Sequence, residues 1–409
     1  MDERDILSSI IHMTHLSGPK TMPGGLWWDE LDDDFYMRPE TFELDRWDRL
    51  RVNLTSYVDI IVRTMGGSVA GTLALPVGYH PFKLRESERD YKIYISKAES
   101  KDPKQFFVEP PAGVKVSRKA PCWPYFKPDD GIVEDLSFES PFGTVNRRVN
   151  PYYRKNKANM TARARYWRHK GGSRATICAI HGFFVDPYWV NEWYFSLPEL
   201  YNMGADVLLY TLPFHGPRSR RFEFSGYGLF AGGLTQLNEA MAHSVYDFRV
   251  FFNFLQDEMG AQQIGVTGIS LGGYMAALLA NVEERLKFAI PNVPVVTFPD
   301  LLLEWFPLST AVRAILFTRG NTLADLRHIM AVHSPLTYRP VLPKDRLMII
   351  GGAGDRLAPP KHSRLLWDHW DRCRIYWFPG SHFFHLDRGN YLVEIEKFLD
   401  DIDFLGHKR

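Results

Sequence analysis

The chain has 409 residues, 45% hydrophobic and 24% charged, with a formal net charge of +1. That length accommodates one large domain plus a further element, and the balanced charge gives no reason to expect nucleic acid or another polyanion as a partner. Three scattered cysteines, Cys122, Cys178 and Cys373, suggest neither a disulfide framework nor a zinc site.

The first sixteen residues begin acidic and carry no basic stretch followed by an apolar core, so a secretory signal is not expected and a reducing cytoplasm is the default compartment. Residues 1–125 read as a mainly helical cap or interface segment. Trp27 and Trp28 precede an acidic cluster, residues 29–34, which suits a solvated loop. Between residues 49 and 65, Leu50, Leu54, Val58, Ile61 and Met65 recur at spacings of three and four, predicting an amphipathic helix. Its apolar stripe suits packing on the main domain or on a second copy in a homodimer. The apolar stretch 57–77 contains Asp59, Arg63 and a Gly66-Gly67 pair, so no membrane span is expected. Residues 69–81 read as irregular. Residues 91–95 alternate as a strand does, or close a helix, and the proline-rich stretch 110–128 reads as a connector.

A second region, 126–409, alternates strands and helices. Residues 132–138, 162–167, 175–180, 206–212, 264–267, 288–296, 346–350 and 374–378 read as strands. Helices are predicted over 234–256, after residue 270, and over 391–402. Such alternation implies an α/β fold with a mostly parallel sheet covered by helices on both faces and a site at the carboxyl ends of its strands. Residues 299–340 are too long for a plain connection and read as a helical cap insertion.

The chemistry centres on Gly268-Ile269-Ser270-Leu271-Gly272, a tight turn between a β-branched run and a small-residue helix. Glycines flank a strained turn that lifts one hydroxyl clear of the sheet. A serine hydroxyl needs a base to take its proton, and the base needs an orienting acid. Asp355 follows the strand 347–350 in a glycine loop, and His382 follows the strand 375–378 in Pro379-Gly380-Ser381. His385 is the rival base and Asp300 the rival acid. His181 suits a structural turn, and Arg218, Arg220 and Arg221 form a small basic run. The aromatics around Tyr188, Trp189 and residues 193–195, with the cap insertion, suggest an apolar lining.

From about Gly131 onward, the G-I-S-L-G turn, the G-A-G-D loop, the G-S-H loop and His181-Gly182 resemble the α/β-hydrolase superfamily. The resemblance implies Ser270 as nucleophile, Asp355 as acid and His382 as base. It also implies an oxyanion hole from the Leu271 and Phe183 N–H groups, although Phe183 and Phe184 replace the later glycines of the lipase-like H-G-G-G form. Phe184, Trp189 and His215 are the candidate substrate contacts. The expectation is a serine esterase that needs no cofactor and cleaves a small-molecule ester with a hydrophobic acyl or aryl group. A C–C bond or amide hydrolase, or a non-catalytic binding protein on the same fold, are the alternatives.

Overall fold

The structure, a computed structural model, describes residues 26–172, 174–183, 187–387 and 389–406. Nine strands form one sheet: β1 Ser117–Lys119, β2 Gly131–Glu139, β3 Thr161–His169, β4 Thr176–Ile180, β5 Asp206–Thr211, β6 Ile264–Ile269, β7 Ala289–Asn292, β8 Met348–Gly352 and β9 Arg374–Phe378. Their spatial order is β1-β2-β3-β5-β4-β6-β7-β8-β9. The run from β5 to β9 is parallel, while β1, β2 and β3 join antiparallel at one edge. The central strands β4 and β6 are buried along their whole length, as parallel strands covered on both faces must be.

The principal helices are α1 Arg46–Val69, α2 Pro81–Glu99, α3 Gly233–Asp257, α4 Leu271–Val282, α5 Leu308–Arg319, α6 Leu323–Ala331, α7 Pro360–His369 and α8 Asn390–Asp401. One apolar cluster takes in α3, α4 and α6 together with Trp27, Trp28, Phe35, Tyr91 and Tyr94 from the N-terminal region. The other lies on the opposite face, where Phe398 and Leu399 of α8 meet Ile177, Val207, Phe288 and Ile350. The N-terminal region is therefore built into the core of the sheet domain.

One open alternative is decided and one local expectation changes. Residues 91–95 lie inside α2, where Ser87, Tyr91, Tyr94 and Ala98 form a buried stripe of helical period. Five residues are too few to separate a period of two from one of 3.6. Residues 69–78 are not irregular: α1 runs through a π-turn at Ala70–Ala74 into Leu75–Gly78. Gly78 ends that run because a Cβ there would meet the Ala231 carbonyl oxygen at 2.5 Å.

Continuous from Arg46 to Gly78, this helical run is long and apolar enough, by length and composition, to cross a membrane. The sequence had suggested no span there. The buried stripe of α1 is Val52, Ser56, Asp59 and Gly67, and it lies against the sheet domain. Trp47, Leu50, Leu54, Tyr57, Ile61 and Met65 are exposed.

Candidate active site

β6 ends at Ile269, and the chain reverses at Ser270 into α4. Ser270 has φ 59° and ψ −111°, a conformation that costs on the order of 1–3 kcal/mol for a residue with a Cβ. The flanking glycines let the turn close. A Cβ on Gly268 would lie 2.2 Å from the Gly272 carbonyl oxygen, and one on Gly272 would lie 1.8 Å from the Ile180 carbonyl oxygen. The Ser270 N–H donates to the Asn292 carbonyl on β7 at 2.9 Å, which pins the turn to the neighbouring strand.

The loops after β8 and β9 meet beside it. Asp355 is wholly buried, and its Oδ1 accepts the N–H groups of Leu357 (2.9 Å) and Ala358 (2.8 Å). Those bonds aim Oδ2 at Nδ1 of His382, 2.6 Å away. Because an ionised carboxylate only accepts, the proton of a neutral His382 sits on Nδ1 and leaves Nε2 as the basic atom. Burial alone would push this imidazole down, but the charge and hydrogen bond of Asp355, with the charge of Asp59, hold it above its ordinary value. The two loops are tied by the Gly354 N–H, which donates to the Gly380 carbonyl at 2.7 Å.

Ser270 and His382 line one cavity of about 230 Å³. Gly182, Phe183, Tyr194, Leu271 and Phe383 complete that end. The rest of the wall is largely apolar, with Val62, Ala70, Leu75 and Tyr79 from the N-terminal region and Phe298, Leu302, Trp305, Val312 and Ile315 from the cap insertion. An Arg319–Glu88 ion pair is the main charged feature of the lining.

A family model described as serine hydrolase (FSH1) matches residues 234–385, a stretch that holds Ser270, Asp355 and His382. Among solved structures, acetyl xylan esterase 1 from Thermoanaerobacterium sp. superposes with a TM-score of 0.51 at 13% identity, over 76% of this chain and 93% of its own. An acetyl xylan esterase from Paenibacillus sp. R4 gives 0.51 at 14% identity, over 75% and 94%. The likeness to these structures shows an α/β-hydrolase fold.

An uncharacterized protein of Mycobacterium tuberculosis is 32% identical to this chain over 187 residues, 44% of this chain and 42% of the relative, so the match spans less than half of that protein. Of the residues singled out in the sequence, Phe183 lines the cavity, whereas Phe184 lies outside the described residues. The loop of Phe183 passes beside the serine turn: a Cβ on Gly182 would lie 3.5 Å from that of Ser270. Trp189 is 61% exposed and away from the cavity, a correction to its expected role, because only the next turn of that helix, at Tyr194, points inward. His215 is also corrected. It is fully buried behind Phe183, donates from Nδ1 to the Pro213 carbonyl, and is pushed far below its ordinary value by burial and by His181.

The rivals fall away for similar reasons. His385 stacks on Phe378, and burial pushes it down to about 3. Asp300 is bound to Arg327, with 2.6 Å between its Oδ1 and Nη2. His181 fixes its loop, accepting the Leu212 N–H at Nε2 and donating from Nδ1 to the Gly182 carbonyl. Arg218 is buried against Asp247 at 2.6 Å, so it braces the loop after β5. Arg220 pairs at 3.9 Å with Glu223, and Arg221 lies over the exposed Phe222 ring.

One site residue, Asp59, escaped the sequence reading, and another, Tyr194, stood there only within an aromatic run read as lining. Tyr194 lines the cavity and donates its hydroxyl hydrogen bond to the His382 carbonyl. Asp59 of α1 accepts the backbone N–H of His382 at 2.9 Å. Asp59 was visible as a polar residue in an apolar helix, but its partner lies 323 positions away.

Proposed function

We propose that this protein is a carboxylic ester hydrolase that works through an acyl-enzyme and takes esters with an apolar acyl or aryl group. The observation that carries this reading is the buried Asp355–His382 pair opening, with Ser270 at a strained turn, onto an apolar cavity. Ser270 Oγ attacks the ester carbonyl while His382 Nε2 takes its proton, and Asp355 holds the imidazole in the required tautomer. Charge develops on the carbonyl oxygen. In this reading the Leu271 N–H at the start of α4 and the Phe183 N–H receive it. The imidazolium protonates the departing alcohol, and a water activated by the same His382 then releases the acid. Binding is supplied by the apolar wall, since each buried methylene contributes about 0.8 kcal/mol.

The test is hydrolysis of p-nitrophenyl esters of increasing acyl length by wild type and Ser270→Ala, beside fluorophosphonate labelling of Ser270. Turnover that rises with acyl length and vanishes in the variant supports the reading. Labelling without turnover of any ester transfers the site to amide or C–C substrates. Absence of both turnover and labelling makes the fold a binding scaffold.

A further inference from the structure

A second carboxylate reaches the catalytic loops from the N-terminal helix. Asp59 is completely buried on the inner stripe of α1. Its Oδ2 accepts two backbone N–H groups, from His382 at 2.9 Å and from Arg356 at 3.0 Å. One donor is the base residue itself, and the other directly follows the acid. On the same stripe, Ser56 Oγ donates to the Gly354 carbonyl at 2.6 Å. Further along, Arg63 donates to the Arg356 carbonyl at 3.1 Å. A Cβ on Gly354 would meet Val52 at 2.4 Å and the Gly380 carbonyl oxygen at 2.7 Å, so helix and both loops touch at this point.

The ionisable groups around Asp59 are Asp355 and His382 from the loops, Arg63 from its own helix, and Tyr194 from the short helix Tyr188–Tyr194. Asp59 Oδ1 is buried and has no hydrogen-bond partner among the described residues. An ionised carboxylate held this way is expensive to bury unless something uses the charge. The nearby group that gains positive charge during the proposed reaction is the imidazole of His382.

We propose that Asp59 is a positioning residue of the active site: it joins the acid and base loops through two backbone hydrogen bonds, and its charge adds to that of Asp355 in stabilising the His382 imidazolium. The assignment rests on the serine hydrolase reading above. It makes α1 part of the catalytic apparatus. Burial and the charge of Asp355 push Asp59 up to about 6, so its charge is present at and above neutral pH.

Asp59→Asn separates the two contributions, because the amide oxygen still accepts both N–H groups while the charge is gone. The full chain is compared as wild type, Asp59→Asn and Ser56→Ala, the last removing a neighbouring anchor of α1 without altering charge. Fluorophosphonate labelling rates at Ser270 are followed against pH, and the His382 ring is titrated by NMR. The expected result is labelling slowed about tenfold or more in Asp59→Asn, with the acidic limb and the His382 titration both moved to lower pH. In Ser56→Ala the limb stays in place. Labelling by Asp59→Asn within about twofold of wild type at every pH, with an unmoved His382 titration, overturns the proposal. Loss of the fold in Asp59→Asn overturns it as well, since a fold that needs the charge makes Asp59 purely structural. Wild type that does not label refutes the hydrolase reading alone, because the His382 titration still reports on Asp59.

Discussion

Replacing Asp59 by asparagine should make the folded protein more stable at neutral pH while slowing it. Buried against Asp355, this carboxyl is raised from 3.8 to about 6 in the folded chain. One pH unit corresponds to about 1.36 kcal/mol, so this difference amounts to about 3 kcal/mol. The sign follows from which state ionises first. Below pH 3.8 both states hold the proton and Asp59 contributes nothing to pH dependence. Between 3.8 and 6 the unfolded chain ionises first, so folding becomes progressively less favourable, and above 6 the full cost is present. Asparagine never ionises. Urea unfolding of both proteins, followed by tryptophan fluorescence at a series of pH values, should show no gap near pH 4. The gap should open in favour of the variant to about 3 kcal/mol by about pH 7. A variant less stable than wild type at neutral pH, or a gap that does not change with pH, would falsify this account of the buried charge.

Asp355→Asn leaves the shape of the acid loop but removes the charge that fixes the His382 tautomer, so kcat should fall about 10⁴-fold with circular dichroism unchanged. Arg218→Met takes the guanidinium from the fully buried Asp247 carboxylate, leaving it Ser140 and His243, and should cost about 3–5 kcal/mol in chemical denaturation; near-wild-type stability would refute the pairing. Ala70→Phe places a ring in the cavity and should raise KM for long-chain esters by about tenfold while sparing acetate esters. Trp189→Ala, on an exposed ring, should leave the entire acyl-length profile as it is.

The candidate site of Ser270, Asp355 and His382 was legible because each of its parts is local. Ser270 carries its own flanking glycines, and Asp355 and His382 each follow a strand whose apolar run ends in a glycine-bearing loop. The buried strands β4, β5 and β6 were readable for the same reason: parallel strands covered on both faces are continuously apolar. What escaped depends on tertiary partners. Trp189 and Tyr194 sit five residues apart in one aromatic stretch, and only the packing of that short helix decides which faces the cavity. Arg218 looked like the start of a solvated basic run, but Asp247, which neutralises it, arrives from the middle of α3. The role of α1 was least accessible. Its stripe of leucines and isoleucines advertises the outer face, while its contact with the catalytic loops runs through Ser56 and Asp59, residues that by type belong in water.

The union of α1 with those loops also bears on the order in which the molecule is assembled. A ribosome delivers Asp59 long before its two amide donors, which follow 297 and 323 residues later. Contacts between such distant positions close large loops and carry the entropic penalty of doing so, which delays them relative to local structure. The Ser270 turn, by contrast, is built from consecutive residues and one neighbouring strand. The nascent chain therefore forms the Ser270 turn early and orients His382 late. Until the final strands have joined the sheet and α1 has settled across them, the Asp355–His382 pair that shares the cavity with Ser270 is not in place.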